Sequence, residues 1–153
     1  MPSAWRIVKT KHLANAWDGE AAALFGGRWN SPNQRAVYAF ATLSLALVEI
    51  LVHLPGGLLP AFSAIPVEFD ETMLTRLALE EVPDNFQADP PPGETMAIGD
   101  AWLRSASSAV LGVPSAVVPI ERNYLFNPRH ADFAMVRIGA AEAFPFDGRL
   151  ARK

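Results

Sequence analysis

The stretch AVLGVPSAVVPIERNYLFNPRHADFAMVRIGAAEAFPF, residues 109–146, decides the class of fold. Its β-branched and aromatic residues come in short runs separated by Pro, Gly and Asn, the pattern of successive short strands. The runs 109–113, 116–120, 123–126, 133–138 and 142–146 each read as a strand. Working towards the N-terminus, 97–107 reads as a helix. Residues 80–95 turn acidic and proline-rich, with Pro90, Pro91 and Pro92 consecutive, and read as a surface loop able to cover a site. Residues 62–69 alternate as a strand, and 43–54 read as a helix capped by Thr42 and stopped by Pro55 and the Gly56, Gly57 pair. Residues 36–40 and 4–8 read as strands, and 18–24 as a short helix entering the glycines at 26 and 27. Many strands with few, short helices in the first two thirds predict an α+β domain rather than a doubly wound parallel sheet.

At 153 residues the chain is expected to form one domain, 1–153, with a core large enough to need no disulfide or structural metal. Half of the residues are hydrophobic and 19% are charged, as in a folded globular protein. A net charge of −3 lacks the basic surplus of a nucleic-acid binder, so no direct nucleic-acid partner is expected. The absence of cysteine excludes a thiolate nucleophile and Cys-ligated zinc. MPSAWRIVKTKH has no apolar signal-peptide core, and the most apolar helix is interrupted by Ser44, Glu49 and His53. These features predict a cytoplasmic protein with no membrane partner. The apolar richness is compatible with a homodimer.

Two charged residues stand out in unusual settings. Glu49 lies in the apolar run TLSLALVEILVHL, where burying a carboxylate is costly unless a cation or hydrogen-bond donors meet it. Arg28, inside GGRWN, is the expected partner: paired glycines allow a tight turn, and the arginine fork suits phosphate or carboxylate. At 100° per residue Glu49 and His53 fall about 40° apart on one helix face. Ser44 sits near the helix N-terminus, where an anion is favoured. Tyr38 ends a strand and can stack on a planar heterocycle. Plainer readings stand beside these: a half-exposed helix edge for Glu49 and His53, a surface arginine with Trp29 in the core, and a core tyrosine with a satisfied hydroxyl. Ser115 has no GxSxG context, and the three histidines show no triad or metal-ligand spacing, so neither serine-hydrolase nor metal chemistry is expected. P-loop and GxGxxG patterns are absent.

WRI at 5–7, GGRWNSP at 26–32, VYA at 37–39, LSLALVEILVH at 43–53, GDAWL at 99–103, VPSAVVP at 113–119, NYLFNPRHADF at 123–133 and FDGRL at 146–150 occur in order along nearly the whole chain. Together they resemble the RES-domain toxins, named for their Arg, Glu and Ser. The resemblance implies an ADP-ribosyltransferase-like fold with a mixed or antiparallel sheet at its core. It also implies consumption of NAD⁺ as substrate by cleavage of the nicotinamide–ribose bond, through hydrolysis, phosphorolysis or transfer to a protein acceptor. The implied partner is a helical Xre-like antitoxin. The family Arg, Glu and Ser fall on Arg28, Glu49 and Ser115, with Tyr38 at the aromatic position. Arg6, Ser44, His53, Asn123 and Asn127 match flanking positions implied to bind the nucleotide. Trp5, Asn33 and Ala131 depart from the residues common there, without removing a charge. A nucleotide- or protein-binding module without turnover is the alternative reading.

Overall fold

The computed structural model describes residues 1–54 and 59–151. The Pro55 and Gly56, Gly57 stop signal therefore lies outside the described residues. The strands are β1 (Ser3–Lys9), β2 (Val37–Phe40), β3 (Phe62–Glu68), β4 (Leu74–Arg76), β5 (Val110–Pro114), β6 (Arg122–Phe126), β7 (Arg137–Ile138) and β8 (Glu142–Phe144). The helices are α1 (Glu20–Phe25), α2 (Leu43–Leu51) and α3 (Gly93–Ser105), with short 3-10 turns between elements. The strands form one mixed sheet in the order β4-β5-β6-β2-β1-β3-β7, with β8 also on β3. Only β4 and β5 run parallel; the other pairs are antiparallel. The expected α+β class, with a sheet core and few helices, is the observed one.

Pro66 explains why the outer neighbour of β3 is split. It has no N–H to donate, and it falls between the segment paired with β8, Phe62–Ala64, and the segment paired with β7, Val67–Glu68.

Alternation assigns side chains to the two faces. On one face Ala4, Val37, Ala39, Val110, Tyr124 and Phe126 pack with Phe69 and Met73. On the other, Trp29, Ala36, Leu111, Val113 and Leu125 pack with Trp102 of α3, and Ile7, Phe62 and Ala64 pack with Ala46 of α2. Both longer helices thus lie on the face that also carries Asn123, Tyr38 and Trp5.

Several elements differ from the sequence expectations, each for a local reason. Residues 116–120 form a turn, because the Ser115 hydroxyl accepts the Val117 and Val118 N–H groups at 3.2 and 3.0 Å, and Pro119 has none to offer a ladder. Helix α3 starts four residues before the expected 97, directly after Pro92, inside what reads as loop. Residues 131–135 form a 3-10 turn, with only Arg137–Ile138 left as strand. Helix α2 ends at Leu51, not 54; its Thr42 cap is as expected, accepting from Leu45 N–H at 3.0 Å.

Candidate functional site

Three chain segments meet around Glu49. Helix α2 presents its carboxylate towards the ends of β5 and β6. Ser115, directly after β5, donates from Oγ to Glu49 Oε1 at 3.2 Å. Asn123 of β6 donates from Nδ2 to Glu49 Oε2 at 3.3 Å. Ser115 is fully buried and Asn123 is 6% exposed. The Ser115 hydroxyl is saturated, with one donated bond to Glu49 and two accepted backbone N–H bonds. Asn123 keeps one unmet group, since its Oδ1 is buried without a hydrogen-bond partner. The carboxylate is thus oriented on both oxygens by neutral donors, which lowers the cost of holding it on an apolar helix.

The expected Arg28–Glu49 pair does not form. Among the described residues the ion pairs are Arg76–Glu71 and Arg149–Asp147. Arg28 Nη1 instead donates to the carbonyls of Phe86 and Ala88 at 2.8 and 2.6 Å, so the acidic, proline-rich loop supplies its acceptors. Both bonds use the same nitrogen. The guanidinium edge formed by Nε and Nη2 has no acceptor among the described residues, and that edge can grip a planar or tetrahedral anion bidentately.

A dense network fixes the Arg28 turn from below. Tyr38 accepts from Trp29 N–H at 3.0 Å and donates to Asn30 Oδ1 at 2.7 Å. Asn30, fully buried, spends its Nδ2 on the carbonyls of Ala22, Ser31 and Gln34. A Cβ on Gly27 would lie 2.7 Å from both the Tyr38 hydroxyl and Asn30 Oδ1, so this turn requires the glycine. Burial holds the Tyr38 phenol above its ordinary pKa by penalising the phenolate. Helix α3 closes the seat: Thr95 Oγ1 donates to Arg28 O at 2.6 Å, and Asp100 accepts from Ser31 N and Oγ at 2.9 and 2.6 Å. Gly99 lies against the Trp29 carbonyl, where no side chain fits.

The structure therefore gathers Glu49, Ser115 and Asn123 into one cluster, and Arg28 and Tyr38 into a second, on the same face of the sheet. The remaining expected residues lie elsewhere. Arg6 alternates with Trp5 and Ile7, so its side chain lies on the opposite face, where it donates to the carbonyls of Ala16 and Tyr38 at 2.9 and 2.8 Å. Burial lowers its pKa to about 10, partly offset by the charge of Asp18. Ser44 is exposed at the first turn of α2, where the N-terminus is already capped by Thr42, and Thr42 donates to the Glu121 carboxylate at 3.5 Å. His53 lies beyond the end of α2 and is exposed, so it does not share a helix face with Glu49. Asn127 caps its own turn, accepting from Arg129 N–H at 3.0 Å. Sequence reasoning missed Asn30, Thr95 and Asp100 as site supports. A helical glycine followed by an aspartate in GDAWL is the signal that was available.

An arginine, a glutamate and a serine are brought from three separate stretches to one face of an α+β sheet with their supports built in. The chain belongs to the RES domain family, whose model matches residues 3–147. It is 40% identical over 148 residues, 95% of this chain and 97% of the relative, to the protein named Toxin Res of Yersinia enterocolitica. It is 32% identical over 157 residues, 99% of this chain and 98% of the relative, to the Prs ADP-ribosylating toxin of a Sphingobium strain. Its fold matches a chain in the crystal structure of the M. tuberculosis MbcT–MbcA toxin–antitoxin complex with a TM-score of 0.73. That match covers 93% of this chain and 83% of that one, at 15% identity.

Proposed function

We propose that this protein is the toxin of a toxin–antitoxin pair and acts in the cytoplasm by cleaving the nicotinamide–ribose bond of NAD⁺. The observation that carries the reading is the Glu49 carboxylate, held on both oxygens by Ser115 and Asn123 yet paired with no cation among the described residues. Its relatives' names, toxins and among them an ADP-ribosylating one, support the same reading.

Cleavage of an N-glycosidic bond passes through an oxocarbenium-like transition state, whose positive charge a fixed carboxylate beside the ribose stabilises. Glu49 takes that role. Nicotinamide leaves as a neutral molecule from a cationic ring, so little acid assistance is required. Ser115, with its hydroxyl saturated, works through Glu49: it fixes one carboxylate oxygen while Asn123 fixes the other. Arg28 offers its Nε and Nη2 edge to the pyrophosphate. The Tyr38 hydroxyl is committed to Trp29 and Asn30, which leaves its ring as the stacking surface for nicotinamide. Arg6, across the sheet, takes no part in binding. No step calls for a metal. The restraining partner is a cognate antitoxin of the helical Xre type, and water, phosphate or a protein side chain accepts the ADP-ribose.

The test is Glu49→Gln. A glutamine keeps the Ser115 bond through its oxygen, and a flip of the Asn123 carboxamide turns the unpartnered Oδ1 towards the new NH₂ group. The variant is therefore expected to melt within a few degrees of the parent. Removing the charge is expected to slow nicotinamide release from NAD⁺ by about 10²–10³-fold, as for loss of one oriented electrostatic stabiliser. Release within tenfold of the parent sinks the mechanism.

A further inference from the structure

The segment 83–92 runs between the two clusters and is pinned at three points. Asn85 Nδ2 donates to Glu94 Oε2 of α3 at 2.9 Å, the carbonyls of Phe86 and Ala88 receive Arg28, and Gln87 Nε2 donates to Ala116 O at 2.9 Å. Ala116 follows Ser115, so the Gln87 side chain ties this strap to the turn that orients Glu49, whereas the neighbouring carbonyls hold the arginine. Consecutive residues of one strap thus reach both halves of the site. Gln87 is exposed, so nothing in the core explains this contact.

We propose that Gln87 is a positioning residue: its bond to Ala116 holds the strap across the site, so that the Phe86 and Ala88 carbonyls fix the Arg28 guanidinium with its Nε and Nη2 edge free for the diphosphate of a dinucleotide. This rests on the reading of the site as one that binds and cleaves NAD⁺. The strap presets Arg28 rather than competing with the ligand, because its carbonyls occupy one nitrogen and leave the opposite bidentate edge open. Without the Gln87 bond the strap and the guanidinium sample more arrangements, and binding must order them. The cost falls on binding rather than on the bond-breaking step, which Glu49 governs.

Gln87→Ala and Gln87→Glu both remove the donor; the second keeps the side-chain length and sets a carboxylate against the Ala116 carbonyl. Each is expected to raise KM for NAD⁺ about 3–10-fold, the scale of one lost hydrogen bond, with kcat within about twofold of the parent. ADP-ribose, titrated calorimetrically, is expected to weaken by the same factor. Because Gln87 acts through Arg28, adding Gln87→Ala to Arg28→Ala is expected to raise KM no further, whereas an independent structural effect adds. Amide exchange across 84–91 is expected to quicken in Gln87→Ala at unchanged Tm. An unchanged KM, an additive double variant, or a lowered KM overturns the proposal, the last identifying the strap as a barrier to entry. A parent that neither cleaves NAD⁺ nor binds ADP-ribose overturns the functional reading instead. The latch itself is then supported by faster strap exchange in Gln87→Ala and overturned by unchanged exchange.

Discussion

Gly99→Ala sets two physical effects of opposite sign against each other within one helix. Helix propensity alone predicts that alanine stabilises the interior of α3 by about 1 kcal/mol. The packing predicts the reverse. A Cβ at position 99 would overlap the carbonyl oxygen of Trp29 and lie 2.6 Å from its carbon, and these are backbone atoms that cannot swing aside. To reach the 3.0 Å at which real Cβ contacts begin, α3 must retreat by more than about 1 Å. The same face of α3 carries three hydrogen bonds to the Arg28 turn, from Thr95 to Arg28 O and from Ser31 N and Oγ to Asp100. Losing them costs about 1 kcal/mol each, and overpacking adds about 1–3 kcal/mol. After subtracting the propensity gain, the net destabilisation is about 3–5 kcal/mol, a fall in Tm of about 6–20 °C for a chain of this length. Gly93→Ala is the internal control: it lies at the start of the same helix with nothing within 4 Å of its added Cβ, and is expected to melt with the parent. Thermal unfolding by circular dichroism of the three proteins decides the matter. A Gly99→Ala protein as stable as the parent refutes the close contact and, with it, the account of how α3 seats the arginine.

Two further outcomes follow from single side chains. Tyr38→Phe leaves the buried Asn30 Oδ1 and Trp29 N–H without their shared partner and is expected to cost about 2–4 kcal/mol in chemical denaturation. That deficit also has a pH signature. The unfolded phenol ionises near pH 10 while the folded one, raised by burial, stays neutral, so the stability due to this group is present below about pH 10 and is withdrawn above it at about 1.4 kcal/mol per pH unit. Arg6 is common to both proteins, so the gap between parent and variant is expected to narrow above pH 10; a constant gap rules out the raised phenol. Ala106→Gly relieves a left-handed residue, φ 49°, at the C-cap of α3, and is expected to raise Tm by about 2–4 °C; an unchanged or lower Tm shows that alanine bears no strain there.

Asn33 shows how a local departure is absorbed. In Ser31-Pro32-Asn33-Gln34, proline and asparagine occupy the central positions of a turn in which Ser31 O accepts Gln34 N–H at 3.2 Å and Asn33 has φ 74°. Asparagine is the residue after glycine best able to adopt that conformation, so the site keeps its turn.

What the sequence determined by itself is local. Short runs of apolar, β-branched and aromatic residues mark β1, β2, β3, β5 and β6, because strands covered on both faces bury nearly every side chain along their length. Thr42 marks the start of α2, and the solitary Glu49 on that helix marks a group needing hydrogen-bond donors. Those signals stem from the cost of burying the wrong atom, and that cost can be read within a dozen residues. The identity of the partners was decided by the tertiary structure. Glu49 found Ser115 and Asn123, 66 and 74 residues away, rather than Arg28. Arg28 found the carbonyls of a loop about 60 residues downstream, and backbone carbonyls leave no mark in a sequence. Val117 and Val118 favour a strand by propensity, yet the Ser115 hydroxyl takes their N–H groups into a turn. Likewise Arg6 and Trp5, adjacent in the chain, point to opposite faces of the sheet, and only the packing of α2 and α3 on one of them decides which face holds the site.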